Sequence, residues 1–490
     1  MRNILLIVID TLRPDHLGCY GYDRDTSPHL DRLAARGALL DACWSASNFT
    51  APAFTSLFTG EYPSRHGVFD FTTKAASSPL KSCLDAHGYR TGGVVTFRFF
   101  QNLLQNIWGE IEAVTDTRSF DYSKDLPRAV TAGASEWLRR HGSAGPFCLF
   151  VHYDGPHMPY RLPDEYARIF DLVAESEVDA EFRAAVFPQE HERLQSRHHK
   201  EGDVKRLFEL LEAVNRKLRR IEPATLTWLI NKYDASIRYN DEAVGQLLQN
   251  LSDQGLAEDT VIAVLSDHGE EFLDHGQISH GHIHLYEEVI RTAGIVVSPG
   301  IPGGRRLSRP VSHVGVLPTL LRLAGIPELP ANAAAADFSR QLISSPGDHS
   351  SAGNSRAGSK DATRIDRQGE TADLDPIFCV SKFKIAVRSG QWKWIQPLPS
   401  SHLPRVARWK LWLKMLLLRE LKNELYDLRN DPTESVNLTR DKHRVQCMAA
   451  LVKDHLRASR GASLVGGTAA DLAAAERARI EQEMRDLGYM

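Results

Sequence analysis

Ile4-Leu5-Leu6-Ile7-Val8-Ile9-Asp10-Thr11 is an apolar run closed by a carboxylate. The run is too short for a core helix and lacks the polar alternation of a strand with one wet face. It reads as a strand buried on both faces, of the kind found in the middle of a parallel sheet. Two further runs share the form. Phe147–Val151 leads into His152-Tyr153-Asp154, and Val261–Leu265 leads into Ser266-Asp267-His268. Helical patterns lie between them at Ser27–Ala35, Ala129–Arg140 and Leu226–Asn250. The alternation predicts an α/β sheet covered by helices on both faces, with chemistry just past the C-terminal strand ends.

Working outward, the 490 residues allow one large domain and a smaller one, and a 42% hydrophobic fraction suits a globular chain. A net charge of −3 gives no reason to expect nucleic acid as a partner. The cysteines (19, 43, 83, 148, 379 and 447) stand singly, with no metal-like or disulfide-like spacing. The N-terminal apolar run ends on Asp10 rather than on a small-residue cleavage site, and no stretch is long enough to span a membrane. A cytoplasmic protein is the expectation.

Residues 1–343 read as the catalytic domain, with a charged, helical insertion at 165–225 lying over the sheet. Its His191, His198 and His199 sit among Arg and Lys and read as surface residues rather than metal ligands. Residues 344–369 are rich in Ser, Gly, Asp and Arg, the composition of a flexible linker. Residues 370–490 read as a small α+β subdomain. Strands Phe383–Val387 and Trp392–Ile395 would form a hairpin around Arg388-Ser389-Gly390-Gln391, with a helix near Lys442–His455 and a helical tail at Ala469–Asp486. Within it, Arg405–Lys422 sets Trp409, Trp412, Leu413, Leu416 and Leu417 at helical spacing among six basic residues. Such a helix either docks on the subdomain or rests on an anionic membrane surface. The second case would bring membrane association and a lipid-linked substrate.

Four segments place a ligand or nucleophile type after a strand or at a helix start: Val8-Ile9-Asp10-Thr11, Asn48–Gly60 containing Thr50, Val151-His152-Tyr153-Asp154-Gly155-Pro156-His157, and Ser266-Asp267-His268-Gly269-Glu270-Glu271. Singly each is weak, since an Asp after a strand is a helix cap as often as a ligand. Together they resemble the sulfatase family of the alkaline phosphatase superfamily. Ile9–Gly18 is similar to the family's first metal motif, and Pro52–Val68 to its nucleophile helix and following turn. Phe150–Tyr160 resembles its histidine segment, and Ser266–Phe272 with His280–Glu288 its second metal motif. Leu425-Tyr426-Asp427-Leu428, Asp431-Pro432 and Asn437-Leu438 resemble its C-terminal signature.

The resemblance implies an alkaline-phosphatase-like mixed sheet sandwiched by helices. It also implies one divalent cation (Mn²⁺, Ca²⁺, Mg²⁺ or Zn²⁺) held by Asp10, Asp267, His268 and the Thr50 hydroxyl. Ligand type alone does not choose among these ions. His157 matches the histidine that protonates the leaving oxygen. His282 falls near the position of a lysine that binds the transferred group, with His280 and His284 as competing choices. Thr96 falls where another lysine is usual, and Arg98 is a substitute anion binder. A second cation would need further ligands, for which His280, His282, His284, Asp274 and His275 are the candidates, and a single cation is expected.

Two departures bear on the chemistry. Catalytic sulfatases carry Cys or Ser at the position of Thr50 and Arg four residues later, the motif oxidised to formylglycine. Here Thr50 is followed by Phe54, so no formylglycine is expected. Thr11 stands where many sulfatases have a further metal-binding Asp. Three readings follow. The first is a hydrolase of phosphate mono- or diesters working through a Thr50 covalent intermediate. The others are a sulfuric ester hydrolase without formylglycine and an inactive binding protein of the same fold.

Overall fold

The computed structural model describes residues 1–115, 125–160, 162–170, 172–186, 202–281, 283–343, 375–398 and 422–459. The linker 344–369, the basic amphipathic stretch as far as 421, the tail 469–486, and His191, His198, His199 and His282 lie outside the described residues.

The central sheet has eight strands in the order Arg305–Leu307, Ala38–Leu40, Gly294–Val297, Thr260–Ser266, Asn3–Ile9, Phe147–Tyr153, Arg90–Phe97, Glu110–Thr115. Gly294–Val297 pairs antiparallel with both neighbours, and the other described pairings in this sheet are parallel. The sheet is therefore mixed, as the family resemblance implied. The three apolar runs are neighbours at its centre, with Ile9 level with both Tyr153 and Ser266. That register sets the residues after each strand side by side.

Alternation along the strands divides the core in two. Ile4, Leu6 and Val8 face one side, with Cys148, Phe150, Val261, Ala263 and Leu265. Leu5, Ile7 and Ile9 face the other, with Leu149, Val151, Ile262 and Val264. Both faces are covered, which is why the runs needed no polar positions. Helices Thr50–Thr59 and Val316–Leu323 cover the first face, and Leu126–His141 and Pro223–Asp253 the second. In the C-terminal unit, strands Ile377–Val380, Lys384–Ser389, Trp392–Pro397 and Glu424–Asp427 form an antiparallel sheet under helix Lys442–Ser459. Ser389 pairs with Trp392, so the hairpin closes on a two-residue turn, Gly390-Gln391, with Gly390 at φ +58°. Among the described residues, no helix is long and apolar enough to cross a membrane.

The long helix Pro223–Asp253 does more than cover the sheet. Its buried Asp234 accepts hydrogen bonds from Tyr22 and Arg24 and meets His16 Nδ1 at 2.7 Å. Its Asp241 accepts the backbone N–H groups of His29 and Leu30 at the start of helix Pro28–Ala35. The Tyr233 hydroxyl donates to the Thr11 carbonyl and accepts from the Arg13 amide. The helix thus holds the loop that leaves the first strand. Tyr233→Phe leaves both backbone groups unpaired in a buried turn and should cost about 1–3 kcal/mol. Urea denaturation measures it, and an unchanged midpoint would show that the turn holds itself.

Candidate metal and ester site

Asp10 and Asp267 follow adjacent strands and are essentially inaccessible, at 0% and 1% exposure. Their carboxylates and the His268 imidazole offer ligand atoms within 4.8 Å of one another. His268 Nε2 lies 3.9 Å from Asp10 Oδ1 and 3.4 Å from Asp267 Oδ2. Thr50 Oγ1 joins from the first turn of helix Thr50–Thr59, 3.1 Å from His268 Nε2. The structure therefore brings together Asp10, Thr50, Asp267 and His268, four residues that the sequence holds far apart.

Local chemistry orients each group. The Gly269 carbonyl, 3.0 Å from His268 Nδ1, can only accept, so Nδ1 carries a proton and Nε2 is the ring nitrogen turned toward the carboxylates. Asp267 Oδ1 accepts the backbone N–H groups of His268 and Thr11, while the buried Oδ2 makes no hydrogen bond. Two buried carboxylates with an uncompensated oxygen are costly without positive charge between them, so this donor set fits a divalent cation. Gly269 is required by closeness: a Cβ there would lie 2.0 Å from the Glu288 carbonyl oxygen. Thr11 adopts φ +54°, unfavourable for a β-branched residue. Its hydrogen bonds to Asp267 and Tyr233 hold it there.

Around this group the imidazoles are neutral. Burial pulls His152 and His157 down to about 4 and His280 well below its usual range. His280 is centred 4.4 Å from the His268 ring and 5.0 Å from His157. His157 Nδ1 is bound to the Met158 carbonyl, which leaves Nε2 as an acceptor at neutral pH. Thr96 is buried, and its Oγ1 donates to the His152 carbonyl, whereas Arg98 is exposed at the start of helix Arg98–Leu104. The competing choices point elsewhere. His284 pairs with Glu271, Asp274 with Arg13 and His275 with Glu288. Among the described residues, the Asp10–Asp267–His268 group is the single cluster with metal-ligand geometry.

Two participants carried no assigned role in the sequence reading. His152 Nε2 lies 3.6 Å from Asp10 Oδ2, and the last strand residues before Asp154 were the signal for it. Glu270 is fully buried with Oε1 3.5 Å from His280 Nδ1, and burial pushes its carboxyl up to about 7. Phe54, where an arginine would mark the formylglycine motif, packs edge-on against His152 and Phe150 and against Phe100. Asn215, at the end of helix Gly202–Asn215, bonds both backbone groups of Ile278, two residues before His280.

A family model described as Sulfatase matches residues 2–326. The chain belongs to the sulfatase family. Among relatives of this sulfatase-family chain, iduronate 2-sulfatase of Mus musculus is 25% identical over 404 residues, covering 67% of this chain and 69% of that protein. The match to the Homo sapiens iduronate 2-sulfatase spans 56% of that protein. Choline-sulfatase of Rhizobium meliloti (strain 1021) is 27% identical over 364 residues, covering 66% of this chain and 68% of that protein. Among solved structures, a protein in complex with its substrate D-glucosamine-2-N,6-O-disulfate superposes with a TM-score of 0.65 at 18% identity, over 94% of this chain and 99% of that one. The phosphonate monoester hydrolase of Agrobacterium radiobacter superposes with a TM-score of 0.59 at 19% identity, over 94% and 96%.

Adding Mn²⁺ to chelator-treated protein should raise its melting temperature, by the equivalent of about 2.7 kcal/mol at a hundredfold excess over Kd. Asp267→Asn should abolish the rise. An equal rise in the variant would remove Asp267 from the ligand set.

Proposed function

We propose that this chain hydrolyses phosphate mono- or diesters, with Thr50 carrying the phosphoryl group between two half-reactions. The supporting observation is the Thr50 hydroxyl at the first turn of its helix, 3.1 Å from His268 Nε2 beside two buried carboxylates. Asp10, Asp267, His268 and Thr50 would hold one divalent cation, which supplies charge neutralisation of the ester and acidification of the hydroxyl. The positive end of helix Thr50–Thr59 favours the same ionisation.

Thr50 Oγ1, its proton released to solvent, attacks phosphorus, the bond to the leaving oxygen breaks, and phosphothreonine forms. Water then attacks phosphorus, the bond from phosphorus to Thr50 Oγ1 breaks, phosphate (or a monoester, from a diester) departs, and a proton from the water restores the hydroxyl. His157 is neutral in the free site, so it becomes a proton donor only as an anionic substrate enters and raises its basicity. It would then protonate the leaving oxygen. His280, beside His268 and His157, is placed to bind the non-bridging oxygens.

The choice of phosphorus rests on what threonine can do. A formylglycine hydrate expels sulfate by breaking its own carbon–oxygen bond, whereas threonine has no second hydroxyl on that carbon. A sulfothreonine would have to be opened by water at sulfur. The curated relatives named as sulfatases support the sulfate alternative, and the phosphonate monoester hydrolase neighbour supports phosphorus chemistry on this fold. A full set of ligand types speaks against an inactive binding protein. A lipid-linked substrate remains attached to the basic stretch 405–422 and to the membrane reading of it.

A panel of aryl phosphate monoesters, phosphate diesters and sulfates, run with several divalent metals, tests the proposal. Phosphate ester turnover should dominate, and Thr50→Ala should lose roughly a thousandfold or more in kcat/KM. Turnover of sulfates alone would reverse the ordering, and full activity in Thr50→Ala would sink the nucleophile assignment.

A further inference from the structure

The segment from His275 to Glu288 brings His280 to the site without belonging to the sheet that carries Asp10 and Asp267. Inside it, among the described residues, the regular structure is strand Ile278–Ser279 paired with Glu271–Phe272 and the start of the short helix Glu287–Ile290. Its two ends are held from the C-terminal unit. Glu434, 2% exposed and at φ +54°, accepts the Glu287 backbone N–H on Oε2 at 2.6 Å. The Glu434 carbonyl lies 3.5 Å from His275 Nε2 at the other end. Lys393, on strand Trp392–Pro397 and 0% exposed, places Nζ 2.8 Å from Glu434 Oε1 and 3.0 Å from Glu287 Oε1. Arg388 on the adjacent strand stands 3.8 Å from Glu287 Oε2. Tyr286 donates to Glu424 of the same sheet and stacks on His275 at 3.6 Å.

Charges buried this deeply are unfavourable unless each is paired, and apolar residues of similar volume usually hold two surfaces together as well. What directional ion pairs add is register. Here they fix where both ends of one segment sit, and that segment carries His280 next to the metal-ligand group.

Resting on the ester-hydrolase reading above, we propose that Lys393 is a positioning residue for the active site: with Glu434 and Glu287 it latches segment 275–288 to the C-terminal sheet and so sets His280 against His268 and His157. The C-terminal sheet is then a working half of the substrate site.

Lys393→Met in the metal-loaded full chain tests this. Amide hydrogen exchange across 275–288 should rise while strand Thr260–Ser266 keeps its wild-type protection and metal content is unchanged. The value of kcat/KM should fall about tenfold, the size expected of coupled neighbours, and Lys393→Arg should recover most of it. In a His280→Ala background the Lys393→Met loss should vanish, because both changes then act on the same contact. Losses that multiply, or unchanged exchange across 275–288, would overturn the latch. Should Lys393→Met fail to fold, Lys393→Met with Glu434→Gln removes one cation and one anion together and gives the same readouts. Should the wild type hydrolyse no ester, the functional reading falls alone. Orthovanadate affinity by calorimetry then replaces kcat/KM in the same cycle, with the same deciding outcomes.

Discussion

Two carboxylates, Asp10 and Asp267, face one another at the ends of neighbouring strands with almost no access to water. Like charges in that position repel, and burial removes the solvent that would screen them. The surrounding structure is organised around this electrostatic problem. Backbone amides of Thr11 and His268 take up one Asp267 oxygen, the His268 ring approaches both carboxylates, and His152 approaches Asp10 with a neutral ring. The remaining attraction is left for a cation, which is how a stability cost becomes a binding site.

The cost is spread over scaffolding that has no chemistry of its own. Thr11 is held in a left-handed conformation by Tyr233 on the long helix and by Asp267 itself. Arg13 is clamped by Asp15 and Asp274 and donates to the Glu270 carbonyl, tying the loop after the first strand to the loop after Ser266. Burial disfavours the Asp15 charge, but the neighbouring guanidinium outweighs it and holds the carboxyl well below its ordinary range. Each tether removes freedom from a ligand-bearing loop, which is what a site with a fixed geometry requires.

Replacing a family cysteine or serine by Thr50 and the following arginine by Phe54 alters the site in a coherent way. Phe54 joins Phe100 and Phe150 in an aromatic cluster against His152, so the side of the site that would hold a guanidinium is apolar. Thr50 presents a simple hydroxyl at a helix start. Under the function proposed above, water, rather than a second hydroxyl on the nucleophile carbon, ends the covalent intermediate.

Much of the fold was legible locally because burial on both faces leaves a mark on composition. Ile4–Ile9, Phe147–Val151 and Val261–Leu265 could not have been surface strands, and the residues after each had to lie along one edge of the sheet. The ligand types at Asp10, Asp267 and His268 were likewise visible, since a carboxylate or imidazole follows each of the three runs. Convergence was not. Which of His280 and His284 turns toward His268 depends on Glu271, a partner thirteen positions from His284, which engages that ring at 2.9 Å. The roles of His152 and Glu270, and the exposure of Arg98 where Thr96 is buried, follow from packing between separate elements. Strand burial and side-chain chemistry are short-range properties that a sequence carries, whereas strand order joins segments far apart in the chain. Distances among buried charges are set by the whole fold, because every neighbour that pairs with one of them changes what the others can do.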